Sequence, residues 1–486
     1  MGWLSSLFIG KRDTAPSEAP LFLTNSLSGK KELFSPLRAN VASLYSCGPT
    51  VYSRAHIGNL RAYVFADVLA RTLSEAGYHV RRVINITDVG HLTDDADTGE
   101  DKMEKGAREE GVSAKDIAHR YTRAFLEDIR ALGIDTESVS FPKATEYIEE
   151  QIALIQLLEE KGFTYRTKDG IYFDTSRFPN YGALDHGGGK LREEAFAEIG
   201  RRIAGNPEKR HPADFALWKF SPRGARRQQE WNSPWGIGFP GWHIECSAMS
   251  RALLGQPFDI HTGGVDHIPV HHTNEIAQSE AAYDVALARY WLHSAFLTIE
   301  NRKISKSLGD DIYLSDIAER GMDPLALRYL FLQAQYRSPL SFSWDSLEAA
   351  ANALAKLRRA AQSIRAEAEG APVASDASRR MVALLRDDLA TPSALALLWE
   401  TVKDEDMERE EQLGVISAAD RVLGLNLLTS APNAVPEHIL ALVAERETAR
   451  ESRDFAKADA LRIHIEASGY RVEDGPSGPV VTPTRG

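Results

Sequence analysis

The chain has 486 residues, 43% of them hydrophobic and 26% charged, enough for about two to four domains around sizeable cores, which excludes a disordered chain and a disulfide-stapled mini-protein. Sixty-nine acidic residues against 57 Lys and Arg give a formal charge of −12; that excludes nonspecific coating of duplex DNA while leaving room for RNA bound through a local basic surface. No run approaches the roughly 18–20 apolar residues of a membrane-spanning helix, and two cysteines, Cys47 and Cys246, cannot build a disulfide framework and fit a reducing cytoplasm.

The first 20 residues read as a frayed extension. Its apolar patch precedes its basic pair, the reverse of a secretory signal. Met1-Gly2 with Ser6 matches the letter of a myristoylation motif, a pattern too short to carry weight. Leu44 to Val51 reads as a strand ending in turn residues. Asn59 to Ala76 carries Leu60, Val64, Val68, Leu69 and Leu73 at helical spacing and stops at Gly77. His79 to Val89 is β-branched and strand-like. Strand, turn, helix and strand in this order form a βαβ unit, so an α/β fold with a parallel sheet is expected, binding its ligands at the carboxyl ends of the strands. Helices are expected over Ala114 to Leu132 and Ala144 to Lys161, then a hairpin over Tyr165 to Asp174. Gly187 to Arg227 looks like an insertion; from Lys190 to Arg227 it holds ten Lys or Arg against five acids. Strand-like sequence resumes at Gly236 to His243 and Phe258 to Gly264. From Pro324 the pattern turns to long helices, interrupted by linker-like Glu369 to Ser378 and Thr429 to Pro436. Glu437 to Gly486 reads as one charged helix with an extended tail.

Three constellations could carry chemistry. Cys47-Gly48-Pro49-Thr50 stands at a strand end just before His56-Ile57-Gly58-Asn59, at the start of a helix whose free N–H groups and dipole favour an anion. Taken alone, the second tetrapeptide is a weak signal and reads first as an ordinary helix cap with a surface histidine. Six of the fourteen histidines lie between His243 and His293, together with Trp242, Cys246, His261, Asp266, His271, His272 and Glu275. His271 and Glu275 share a helix face at i, i+4; with the two cysteines they make a donor set that zinc accepts, although the spacing fits two buried core thiols as well. Lys303-Ile304-Ser305-Lys306-Ser307 places two lysines three apart, able to contact successive phosphate oxygens, but such a pair is common on solvated surfaces.

In combination these stretches resemble the cysteinyl-tRNA synthetases, class I enzymes. The resemblance runs from about Leu21 to the C-terminus and rests on CGPTVYSRAHIGN, NITDV, FPGWHIECSAM, DIHTGGVDHIPVHHTNEIAQSE, KISKS and DFAKADALR. Ile304 stands where the family usually has Met, and Gly90-His91-Leu92 where many members carry acids. The resemblance implies a Rossmann-like parallel-sheet catalytic domain with an inserted connective subdomain, followed by a helical bundle and a small C-terminal anticodon-binding module. On that scheme residues 1–20 are an extension, 21–120 and 236–323 the two catalytic halves, 121–235 the insertion, 324–435 the helical tRNA-binding domain and 436–486 the anticodon module. No editing domain is expected.

Carried over residue by residue, the resemblance implies one catalytic-site Zn²⁺ held by Cys47, Cys246, His271 and Glu275. Trp242, His261 and Asp266, with Gly48 and Thr50, would face the substrate. His56, Gly58 and Asn59 would bind ATP with its Mg²⁺, and Lys303 and Lys306 would lie on the family's mobile loop. The partners implied are L-cysteine, ATP and tRNA(Cys), with no membrane and a monomeric enzyme. Selecting the substrate thiolate by a strong specific bond reaches the factor of about 10⁴–10⁵ at which proofreading becomes unnecessary. Arg446, Arg450, Arg453, Lys457 and Arg462 fit an RNA-contacting helix face and a solvated one balanced by Glu445, Glu447 and Glu451 equally well. Two rivals are a ligase joining cysteine to a glucosaminyl-inositol on the same scaffold, and a non-catalytic tRNA-binding relative. The last helix and the lysine loop argue against the first, and the intact phosphate and metal constellations against the second.

Overall fold

A computed structural model describes residues 19–90, 101–184, 207–221, 227–299, 302–303, 311–429, 437–452, 454–475 and 478–483. Expectations for the N-terminal extension up to residue 18, for 187–206 and 222–226 of the insertion, for His91 and Leu92, for Lys306, for Arg453 and for the 430–436 linker lie outside these residues.

Five parallel strands form the central sheet, in the spatial order Ala288–Ser294, Phe258–Gly264, Val41–Ser46, His79–Ile84, Val139–Ser140. Numbered along the chain that order is 5-4-1-2-3, so the winding direction reverses between Val41–Ser46 and Phe258–Gly264. A crevice opens at such a switch point, beyond the carboxyl ends of the two strands, and ligands of doubly wound sheets bind there. Val41–Ser46 is buried over five of its six residues, as a central strand covered on both faces must be. A hairpin, Phe22–Asn25 with Lys30–Leu33, covers the outer strand: Ser26 N–H donates to the Trp291 carbonyl at 2.7 Å.

Both strands of the predicted βαβ unit end earlier than expected. The first stops at Ser46 because Gly48 passes against the other strand's exit; a Cβ on Gly48 would lie 1.4 Å from the Asn85 carbonyl oxygen. The second stops at Ile84, after which Thr87 N–H donates to Pro49 and Val51 N–H to Thr87, each at 3.1 Å. The joining helix spans Ile57–Glu75 and starts two residues ahead of expectation, because a histidine, an uncommon cap, holds its first turn.

A second sheet is antiparallel and ordered Thr164–Arg166, Gly170–Phe173, Phe215–Phe220, Gly238–Pro240. It contains the expected hairpin and two further strands. The stretch Gly236 to His243 is therefore corrected: only Gly238–Pro240 is strand, and Trp242 opens a helix, Trp242–Leu254. Two borders of the expected domain scheme are crossed by observed elements. Val139–Ser140 pairs with the central sheet from within 121–235, and Gly238–Pro240 pairs with the second sheet from within 236–323.

The helices that follow are Pro324–Leu332, Trp344–Glu367, Asp376–Arg386, Thr391–Thr401 and Arg409–Leu423. Asp323, Ser343 and Ser375 cap three of them through side-chain oxygens. The linker-like stretch after Ala368 is exposed but tethered: Val373 N–H donates to the Glu410 carbonyl at 2.9 Å, and Glu410 Oε1 accepts from the Glu369 and Gly370 N–H groups.

Contacts divide the chain into units 1–427 and 428–486. The second is not one helix and a tail but two helices, Glu437–Glu451 and Phe455–Ala467, with a hairpin of Tyr470–Gly475 and Gly478–Pro483. Asp454 breaks the expected helix, because its carboxylate accepts from Lys457 N–H at 3.1 Å and so starts a new one. Ile439, Val443, Ile465 and Val472 form its core. Arg446 and Arg450 both pair with Glu447, and Arg462 with Glu466; this favours the solvated-face reading for Arg450 and Arg462, whereas Arg446 is buried.

Candidate active site

Cys47 directly follows the strand Val41–Ser46, and His261 is the central residue of Phe258–Gly264, so they belong to the two strands that flank the switch point. Cys246 arrives from the helix Trp242–Leu254. His271 and Glu275 arrive from a widened π turn, Ile268–His272, that runs into the helix Thr273–Tyr283; such turns recur at functional sites because they redirect side chains. The donor atoms of Cys47, Cys246, His271 and Glu275 all lie within 4.8 Å of one another, and all four residues are buried. A second overlapping set, Cys47, His261, His272 and Glu275, meets the same limit. The first set holds both thiols and the second only one.

Two sulfurs bound tetrahedrally to one zinc at about 2.3 Å stand roughly 3.8 Å apart. Cys47 Sγ and Cys246 Sγ are 3.9 Å apart, a metal spacing and far from a disulfide. Charge supports the same reading. The hydrogen bond from Cys47 draws the Cys246 thiol below its ordinary pKa, while burial raises that of Cys47. Burial opposes ionisation of Glu275, but His261 and His271 outweigh it and hold its carboxyl well below the usual range. Burial likewise disfavours a charged His271, yet Glu275 and Cys246 raise its pKa to about 10. This donor set requires a positive charge among its atoms. A proton on His271 supplies one, and a divalent cation would supply more. The residues therefore fit zinc.

A shell of partners aims these donors. His243 Nδ1 lies 2.9 Å from His271 Nδ1, and His261 Nε2 lies 2.8 Å from Glu275 Oε2. Cys47 Sγ is 3.2 Å from His272 Nε2, whose ring continues to His293 at 2.8 Å and from there to Ser26 at 2.8 Å. Asn85 Oδ1 accepts from Gly48 N–H at 2.8 Å and lies 3.7 Å from Cys246 Sγ. Asn85, His243 and His293 were not singled out from the sequence; clustering in the histidine-rich stretch was the available signal for the two histidines. Because Gly48 has no room for a Cβ, Gly48→Ala is expected to displace Cys47 and weaken zinc binding by at least the roughly 10–100-fold typical of outer-shell damage, read by chelator competition.

The other predicted residues distribute as follows. The Trp242 ring is 4.7 Å from that of His271, and buried His261 stacks on Trp291 at 4.5 Å. Asp266 is exposed on the turn Val265–His267. Thr50 bridges to Thr87 beside the crevice. His56 and Asn59 form a reciprocal capping box: His56 Nδ1 accepts from Asn59 N–H at 3.3 Å, and Asn59 Oδ1 accepts from His56 N–H at 3.2 Å. The cap reading thus holds, and it fixes the chemistry, since a neutral ring accepting at Nδ1 keeps its proton on Nε2 as a donor. Gly58 lies in the first turn. Lys303 ends a short strand, Arg302–Lys303, paired with Leu297–Ile299. Beyond the loop, the Ile312 carbonyl accepts from Ile57 N–H at 2.8 Å and Tyr313 bridges to His56, so the chain leaving the lysine loop returns to the helix start that His56 caps.

A family model for the tRNA synthetases class I (C) catalytic domain matches residues 33–352. The structure is similar to Mycobacterium tuberculosis methionyl-tRNA synthetase bound by methionyl-adenylate, with a TM-score of 0.55 at 17% identity over 86% of this chain and 96% of that one. The fold is that of the class I tRNA synthetases. Cysteine–tRNA ligase 1 of Burkholderia lata is 51% identical over 94% of this chain and 96% of its own; cysteine–tRNA ligase of Zymomonas mobilis is 43% identical over 95% and 97%. The chain belongs to the cysteine–tRNA ligase family.

Proposed function

We propose that the protein activates L-cysteine with ATP and transfers it to the 3′ end of tRNA(Cys). The convergence of two thiols, an imidazole and a carboxylate at the sheet's switch point, in a chain of this family, carries the reading. Zn²⁺, one per chain, would be held by Cys47, Cys246, His271 and Glu275, and when bound would favour the substrate's thiolate over the hydroxyl of serine.

Trp242 and His261 wall the substrate side chain, Asp266 takes its ammonium group, and the backbone at Gly48 and Thr50 lines the approach. The cysteine carboxylate attacks the α-phosphorus of ATP, an acyl–oxygen–phosphorus linkage forms as the bridge to the β-phosphate breaks, and pyrophosphate leaves with Mg²⁺. Little covalent chemistry is asked of the protein, so orientation and charge neutralisation dominate. The Nε2–H of His56 and the helix N-terminus at Gly58 and Asn59 meet the phosphates, and Lys303 and Lys306 neutralise the departing charge. A ribose hydroxyl of the tRNA then attacks the acyl carbon and AMP leaves.

Single-stranded RNA is read by stacking and base-edge contacts that need few charges, which reconciles tRNA binding with the acidic total. The Lys190 to Arg227 stretch would guide the acceptor end, the 324–435 helices the body of the tRNA, and 436–486 the anticodon. We extend the proposal to the domain scheme of the sequence, with 139–140 and 238–240 exchanged across its borders. The proposal keeps a monomeric enzyme, and two free thiols spent on one site support a reducing cytoplasm. Among the described residues no helix is long and apolar enough to cross a membrane.

Acceptor choice tests the reading. The protein is expected to charge tRNA(Cys) with labelled cysteine and to leave a glucosaminyl-inositol acceptor unmodified. Labelling of the aminosugar without charging of tRNA would overturn it in favour of the small-molecule ligase.

A further inference from the structure

Arg61 lies five residues beyond His56 on the helix Ile57–Glu75 and is 3% exposed. Among the described residues its partners are all main-chain carbonyls. Nη1 donates to Ala295 at 3.0 Å and Phe296 at 2.7 Å; Nη2 donates to Ser338 at 2.7 Å and Gln335 at 3.5 Å. A buried cation held by carbonyls is a costly way to fill space, since an apolar side chain would fill it without desolvating a charge. What the planar guanidinium adds is direction, because one rigid group sets several carbonyls at once.

Those carbonyls belong to the two segments that lead into a small three-stranded sheet. Leu297–Ile299 pairs parallel with Leu340–Phe342 and antiparallel with Arg302–Lys303. The segments are also tied to each other, Ala295 N–H to the Tyr336 carbonyl at 2.8 Å and Leu340 N–H to that of Phe296 at 3.2 Å. The chain enters the lysine loop from this sheet, at Lys303, and returns at Ile312 and Tyr313, which bond the helix start directly. Both ends of the loop are thus referred to one helix: the exit through Ile57 and His56, the entrance through Arg61.

We infer that Arg61 is a positioning residue for adenylate formation, fixing against the helix capped by His56 the sheet in which Lys303 stands and from which the chain goes on to Lys306. It acts through the main chain of Ala295, Phe296 and Ser338 and touches no reacting atom. The inference rests on the proposed phosphate role of the two lysines. A misplacement of about 1 Å costs on the order of 100-fold in rate, so the effect falls on turnover. The metal donors leave the sheet by other elements, so zinc content and cysteine binding are spared.

The test uses the full chain, with Arg61→Met, Arg61→Lys and Lys306→Ala, alone and with each Arg61 variant combined with Lys306→Ala. Cysteine-dependent ATP–pyrophosphate exchange, zinc content and melting temperature are measured on each. Arg61→Met is expected to lower exchange kcat on the order of 100-fold with the KM for cysteine within about twofold, and to retain one zinc. Arg61→Lys, which keeps the charge but cannot span the carbonyls, is expected to fall between. In the double variants the combined loss is expected to fall short of the product of the two single losses, since residues acting through one another are not additive. Full additivity, or a lowered melting temperature with kcat unchanged, would overturn the inference. An undamaged Lys306→Ala would instead overturn the lysines' own role. If Arg61→Met does not fold, Arg61→Lys and its double variant decide.

Discussion

Cys246→Ser protein is expected to lose its zinc and its cysteine-dependent pyrophosphate exchange together, exchange falling by more than the roughly 10–100-fold that follows loss of an outer-shell partner. The thiol of Cys246 is drawn below its ordinary pKa by Cys47, which donates to it, and by His271. A serine hydroxyl at that position stays neutral and is a poorer ligand. It would leave Cys47, raised by burial, with no partner to take its hydrogen bond as a thiolate. Metal analysis after dialysis gives the first readout and exchange the second. His243→Phe provides the graded comparison. It leaves four donors in place but removes the nitrogen 2.9 Å from His271, so metal affinity is expected to fall by about 10–100-fold with exchange restored by added zinc. Unchanged exchange in zinc-free Cys246→Ser protein would sink metal selection of the thiolate and leave cysteine recognition to pocket shape.

The legible parts of the fold were those whose signal is local. Periodicity found the helix Ile57–Glu75 to within two residues and the helix Ala114–Ala131 to within one, because apolar spacing and a stopping glycine sit inside the segment itself. The helix Trp242–Leu254 was missed. Gly236 to Pro240 biased the whole stretch toward extended backbone, and its cap, Gly241, offers no side-chain oxygen. The four donor positions came from the combined motifs, not from spacing, since Cys47 and Cys246 are 199 residues apart and meet only because the parallel sheet sets the first strand beside the fourth, whose preceding helix carries Cys246. Asn85 was in view inside NITDV, but its contact with Gly48 depends on two strand exits crossing, and nothing local announces that. Arg61 has the same difficulty: its carbonyl partners lie 234 to 277 residues away, and main-chain acceptors leave no trace in side-chain identity.

Asp67→Asn is expected to cost about 3–5 kcal/mol of stability near neutral pH, the range for removing one partner of a buried ion pair, read as a lowered urea or thermal midpoint. Asp67 Oδ2 receives Arg328 Nη2 and Arg71 Nε, both at 2.7 Å, and Oδ1 receives Arg82 Nη1 at 3.0 Å. Arg328 is fully buried and Asp67 3% exposed. The remaining Arg328 donors go to the carbonyls of Leu423 at 2.6 Å and Leu132 at 3.0 Å, and Gly424, at φ +62°, leaves room for it: a Cβ there would lie 2.8 Å from Arg328 Nη2. One carboxylate thus joins the helix that carries His56, the strand His79–Ile84, the helix Pro324–Leu332 and the end of the helix Arg409–Leu423. An asparagine of the same shape would leave two buried guanidinium groups without a counter-charge. Burial disfavours the Asp67 anion, but Arg328, Arg82 and Arg71 outweigh it and hold its pKa below the ordinary 3.8. A depressed carboxyl contributes stability that is fully present above its unfolded pKa and is lost as pH falls toward its folded one. The gap between wild type and Asp67→Asn is therefore expected to stay constant from neutrality to about pH 5 and to narrow on further acidification. A gap that widens in acid, or a variant as stable as wild type at pH 7, would show that the arginines are satisfied by the carbonyls alone.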